Sequence, residues 1–249
     1  MGLFSGLHTK VAVYMLYRLY VQLFDLEQRW NVLIIVIMII SMMIGAFGGL
    51  AENSIRRVLG YQMLNGMPFI LVMLAFTSDD PRRALAAGIM YTIHHMLTVG
   101  SLILASGAIE ETYGTGLLSK LSGLARRDPI IAWIFAAGAF SVVGFPPFSG
   151  MWGKLMIVFE IARVGGAWAW IAIAAIIIAS FAAFLAMLRV WRKVFWGKGL
   201  PEDKVPDELV IRKKLMAPSA ALILGSLCMF IFSGIVLDVV DSAAEQLLD

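Results

Sequence analysis

Between Pro129 and Ala162 the chain stays apolar for longer than one membrane crossing needs, and two consecutive prolines, Pro146 and Pro147, stand in the middle of that run. Proline inside a helix removes a backbone donor and clashes with the preceding turn, so the run predicts a helix broken between Gly144 and Lys154. Backbone facing lipid cannot be left unpaired. A break at that depth must be buried in protein or line a wet cavity. Lys154 follows a few residues later. A broken helix beside an ionisable residue is a common sign of an ion path, and the alternative is a re-entrant kink whose lysine snorkels to the interface.

The rest of the chain suits a membrane. Of its 249 residues 60% are hydrophobic and mean hydropathy is +0.85, far above the level of soluble domains. The reading is an all-α polytopic membrane protein with lipid as its solvent. The apolar run from Leu3 is itself long enough to span, so no secretory signal is needed to explain the start. One cysteine, Cys228, offers neither a disulfide nor a cysteine metal site. Cofactor motifs, paired catalytic carboxylates and nucleophile constellations do not appear. The expectation is therefore no enzyme, no cofactor, no metal and no nucleic-acid partner.

Hydropathy predicts a single transmembrane domain over 1–249 with about seven spans: 3–24, 30–50, 58–77, 84–109, 130–162 (broken), 167–190 and 215–237. Glu52, Asn53 and Ser54 are read as the cap of the third helix, and Asp80–Pro81 as the start of the fourth. Gly114–Pro129 reads as a polar loop. Lys198–Lys214 is the longest polar connection, and Pro201 and Pro206 argue against a continuous helix through it. Thirteen of the twenty basic residues fall on the side of the amino terminus and four, Arg29, Arg82, Arg83 and Arg163, on the other. The positive-inside rule then predicts a cytoplasmic amino terminus and an external carboxyl terminus.

The remaining three, Lys10, Arg18 and Lys154, fall within spans. Low dielectric favours the neutral form of a lysine, which is the condition for passing protons on. Arg18 lies two turns after Lys10 on roughly the same face; snorkelling to opposite interfaces is the competing explanation. His94 and His95 occupy the middle of the fourth span, with Tyr91 one turn before and Thr98 one turn after. Histidine serves intramembrane relays, but it also glues helices together. A metal site does not suit adjacent histidines, which point about 100° apart on a helix. Glu160 is either an auxiliary relay carboxylate or the partner of Arg163. Asp238 and Asp241 read as solvated at the outer end of the last span.

Taken in order, Thr9–Tyr14 with Arg18, the Arg56–Tyr61 stretch, the His94-His95 helix and the Gly144–Lys154 break resemble the antiporter-like subunits shared by respiratory complex I and the Mrp-type multisubunit Na+/H+ antiporters, most of all the Mrp D subunit. The segment Ala243–Asp249 is similar to the carboxyl-terminal region of that protein. The resemblance implies two inverted repeats, each with a broken helix, of which this chain holds the second; it matches the eighth to fourteenth spans. It implies a relay through Lys10, His94, His95 and Lys154. It also implies partners: other antiporter or complex-I-like membrane subunits, and a chain supplying the missing amino-terminal half, in a prokaryotic plasma membrane.

Two departures matter. The front half of the family fold is absent, so either a separate chain supplies it or the protein works without it. The family also carries a lysine four residues after the second histidine, where this chain has Val99. Two readings follow: a subunit contributing half of an ion path in a cation/proton antiporter or related assembly, and a non-conducting subunit that only holds such a complex together.

Overall fold

The computed structural model describes residues 7–198 and 209–249. The start of the first expected span and the loop prolines Pro201 and Pro206 lie outside the described residues. The ordered elements are helices: α1 (Thr9–Gln22), α2 (Asn31–Ala51), α3 (Ile55–Leu71), α4 (Pro81–Tyr113), α5 (Leu124–Arg127), α6 (Pro129–Val143), α7 (Ser149–Val164), α8 (Gly166–Val190), α9 (Lys213–Ile231) and α10 (Ser233–Leu248). A 3-10 turn prolongs α3 to Ala75 and a π turn prolongs α8 to Phe195. Among the described residues five helical runs are long and apolar enough to cross a membrane: 28–51, 55–75, 81–113, 166–195 and 213–231. Large apolar side chains such as Trp133, Ile177, Phe181 and Leu224 stand more than half exposed on the outer faces. In water such a surface would drive association; in a bilayer it faces acyl chains. The chain is a multi-pass membrane protein.

The long helix α4 is the axis of the bundle and packs against α3, α6, α7, α9 and α10. Its start follows the sequence logic: Pro81 occupies the first turn, and the Asp80 carboxylate accepts from the Arg83 amide at 3.2 Å. Its 33 residues at 1.5 Å rise make it about 50 Å long, so the middle of α4 is screened from both surfaces. Ser101 and Ser219 clamp α4 to α9 reciprocally, each hydroxyl donating to the other's carbonyl at 2.7–2.8 Å.

The cap of α3 differs from the sequence reading. Ser54 sits at the N-cap position, but its side chain makes no capping bond. The segment is held instead by Ile55 N–H to Gly116 O (2.9 Å) and Leu118 N–H to Asn53 O (2.9 Å), so the polar loop after α4 lies against the α2–α3 turn. Arg189 from α8 closes the end of α2, donating to the carbonyls of Leu50 and Glu52 at 2.6 Å and to Asn53 Oδ1 at 2.8 Å. A guanidinium suits the carbonyl-rich end of a helix.

The carboxyl-terminal end also differs. Helix α9 stops at Ile231, and Phe232 leaves helical geometry at φ −98°, ψ 32°. The next sixteen residues form a separate helix, α10. Its apolar side (Val240, Ala244, Leu247) is buried, and it packs on α4 and α1. Asp241 forms an ion pair with Arg82 at 3.0 Å. Hydropathy alone merges the two helices, because the segment around Phe232 is as apolar as its flanks.

Candidate functional site

The site grows from the end of α6. Gly144 takes φ +101°, a conformation that favours glycine, and terminates the helix. Pro146 and Pro147 carry no N–H to extend it, and the chain re-enters helix at Ser149. The last carbonyls of α6 are thereby left open. Lys154, in the second turn of α7, reaches back and donates from Nζ to Val143 O at 2.8 Å and to Ser180 Oγ of α8 at 2.9 Å. The same nitrogen lies 5.4 Å from the ring centre of Phe69 on α3. A cation is favoured at a helix carboxyl end and over an aromatic face, so the site can accommodate Lys154 Nζ in its charged form beside the end of α6.

From Phe69 an aromatic bridge leads to the histidines. Phe69 stacks on Tyr91 with centroids 5.2 Å apart; Tyr91 in turn lies 5.2 Å from the His94 ring and 6.1 Å from His95. His94, His95 and Tyr91 are all fully buried, with 1%, 3% and 3% exposure. The structure thus brings Lys154, Tyr91, His94 and His95 together.

The two histidines have different surroundings. His94 Nδ1 lies 2.9 Å from Ser149 Oγ and 3.3 Å from Thr98 Oγ1. Thr98 bonds Ser141 (2.8 Å), Ser141 bonds Ser226 (3.0 Å), and Ser226 bonds Ser149 (2.7 Å), closing a five-member ring. Its members come from α4, α6, α7 and α9. His95 faces α3, where a Cβ on Gly66 would overlap its Nε2 atom. Neither nitrogen of His95 makes a well-formed hydrogen bond among the described residues, and the Gln62 backbone carbonyl faces the ring without closing one. Both side-chain polar atoms of Gln62 and Asn65 Oδ1, all on α3, are buried without a partner among the described residues as well.

Lys10 is buried on α1 at 6% exposure, with Nζ 3.2 Å from Thr9 Oγ1. It lines a cleft of about 220 Å³ with Tyr17, Leu247 and, on α4, Thr92 and Ile93, the two residues that precede His94. Tyr17 anchors α1 there by donating to Ile70 O at 2.6 Å. Arg18 is half-buried on the same helix. Glu160 pairs with Arg163 at 3.7 Å, the simpler of the two expected roles. Val99 is 1% exposed within an apolar cluster.

Sequence reasoning missed Ser141, Ser149, Ser180, Ser226 and Phe69. Hydroxyl side chains are common in membrane helices as packing groups, and only the assembled bundle shows that four of them close a ring with one imidazole nitrogen. Phe69 has no sequence signal at all.

The fold and these buried basic groups define a helical membrane protein with ionisable side chains buried beside the turn between α6 and α7. Residues 2–184 match the NADH:quinone oxidoreductase/Mrp antiporter transmembrane family, and the chain belongs to that family. It is similar to the D subunit of the Na(+)/H(+) antiporter of Bacillus subtilis (strain 168), with 31% identity over all of this chain and 49% of the relative. It is also similar to the N subunit of the NADH-quinone oxidoreductase of Hydrogenovibrio crunogenus, 30% identical over 84% of this chain and 42% of that protein. Among solved structures, the Mrp complex from Dietzia sp. DQ12-45-1b superposes with a TM-score of 0.92 at 32% identity, covering all of this chain and 53% of the matched one. The chain spans about half the length of the curated relatives it matches.

Proposed function

We propose that this chain is a membrane subunit of a multisubunit Na+/H+ antiporter or a related complex-I-like assembly, and that it contributes half of an ion path. Lys10, His94, His95 and Lys154 are the groups that exchange protons in this reading, with Tyr91 between them and Arg18 and Glu160 as auxiliary charges. The observation that carries it is the placement of Lys154. Its Nζ is held at the open end of α6 by Val143 O and Ser180 Oγ, and an aromatic bridge joins it to two buried histidines. A charge exchanged in low dielectric acts over a long range, which couples it to neighbouring subunits.

The finer architecture belongs to the same proposal. Helices α6 and α7 are the two halves of one broken span, α1 adds a further span, and about seven crossings result, with the amino terminus cytoplasmic and the carboxyl terminus outside. The partners are other antiporter-like membrane subunits and a chain or segment supplying the other half of the fold. The relatives' lengths support that half.

Val99 supports a second reading. A buried apolar side chain one turn after His95 cannot carry a proton, which favours a subunit that packs the complex without conducting. Cation/proton exchange in vesicles carrying the assembled complex separates the two. Relay predicts that Lys154→Ala and His95→Ala each lower exchange with assembly intact. Unchanged exchange in both leaves the packing role.

A further inference from the structure

We propose that the paired histidines divide the work: His94 is a positioning residue whose bare Nδ1 completes a hydroxyl ring joining both sides of the helix interruption to α4, and His95 is the imidazole that exchanges protons. This rests on the relay reading above and narrows it, since it takes His94 out of the set that exchanges protons.

A proton count supports the assignment. The ring has four hydroxyls, on Thr98, Ser141, Ser226 and Ser149, and one nitrogen, His94 Nδ1. All of these side chains are buried to 1% exposure or less. An imidazole nitrogen that carries a proton donates and does not accept. With Nδ1 bare, Thr98 donates to Ser141, Ser141 to Ser226, Ser226 to Ser149, and Ser149 to Nδ1. Every hydroxyl proton then has an acceptor, and the unused edge is the longest one, Thr98 to Nδ1 at 3.3 Å. With a proton on Nδ1 no hydroxyl can donate to that nitrogen, and one hydroxyl proton, on Thr98 or on Ser149, is left without an acceptor in the ring. A buried polar group without a partner is costly, so the ring favours neutral His94 with its proton on Nε2.

The ring also has a mechanical role. Ser141 lies in the last turn of α6 and Ser149 opens α7, so the two sides of the interruption are tied to His94 on α4 and to Ser226 on α9. Putting a proton on Nδ1 would keep these contacts but leave a buried hydroxyl proton in the ring without an acceptor. His95 has no such commitment, since neither of its nitrogens makes a well-formed hydrogen bond among the described residues. Lys154 is joined to His95 through Phe69 and Tyr91, and Lys10 lines a cleft with Thr92 and Ile93, the residues just before the histidines.

The test is 15N-histidine solid-state NMR on the assembled complex in lipid, together with cation/proton exchange in vesicles. In the wild-type complex His94 should show a bare, hydrogen-bonded Nδ1 and a protonated Nε2. Asparagine places an oxygen acceptor near the Nδ1 position and cannot titrate. His94→Asn should therefore restore most of the exchange lost in His94→Ala, whereas His95→Asn should lose at least about tenfold. A protonated Nδ1 on wild-type His94 would overturn the proposal without any variant. So would full exchange in His94→Ala, or His94→Asn as inactive as His94→Ala in an assembled complex. Unchanged exchange in both His95→Asn and Lys154→Ala would instead overturn the relay reading, and the NMR result would still report on the ring.

Discussion

Lys154 Nζ and the Val143 carbonyl oxygen lie 2.8 Å apart across the interruption between α6 and α7. The residue that would carry charge is also the residue that satisfies the end of the preceding helix. Substitution therefore has two consequences, one for exchange and one for the local backbone.

Lys154→Ala should reduce cation/proton exchange by at least about tenfold, the lower end of what a positioned proton-transfer group contributes. It should also destabilise the complex by about 1–3 kcal/mol through the unpartnered Val143 carbonyl. Lys154→Gln keeps a donor without an exchangeable charge and should recover the stability but not the exchange. Thermal unfolding in detergent and vesicle assays read the two separately.

Gly66→Ala probes the space beside His95. The added Cβ would overlap the imidazole, so either α3 or the ring must move, at about 1–3 kcal/mol, and exchange should fall. Gly60, on the same helix, has open space around its Cβ position. Gly60→Ala should be neutral or stabilising by about 0.5–1 kcal/mol and leave exchange as in wild type.

Val99→Lys places a basic group one turn after His95. If a path exists and is limited at that point, exchange should rise in vesicles. Burying an ammonium in the apolar cluster around Val99 is costly, so a lower unfolding midpoint should accompany the gain. A drop in midpoint with no gain in exchange favours the packing role.

Arg189→Ala tests the joint between α8 and the α2–α3 turn. It removes donors to Leu50 O, Glu52 O and Asn53 Oδ1. The expected effect is a loss of about 1–3 kcal/mol, read as a lower unfolding midpoint, with exchange per assembled complex retained.

The sequence made the helical membrane class legible because lipid demands long apolar runs and helices. The end of α6 before Pro146 and Pro147 was legible because proline cannot extend a helix. Lys10, Lys154 and the histidines stood out as ionisable groups where apolar ones are expected. Helix α10 was hidden, since Phe232 ends a helix by backbone geometry that no special residue announces. The ring around His94 was hidden for a different reason. It joins positions 94, 98, 141, 149 and 226, and no local period relates them.

The central claim is that His95 and Lys154 serve one path, and the most direct measurement is exchange by the double variant His95→Ala/Lys154→Ala beside its two parents in assembled complexes. Residues acting in one unit are strongly non-additive. The account predicts that the double variant falls no lower than the less active parent. Losses that multiply, or no loss in any of the three, would contradict it.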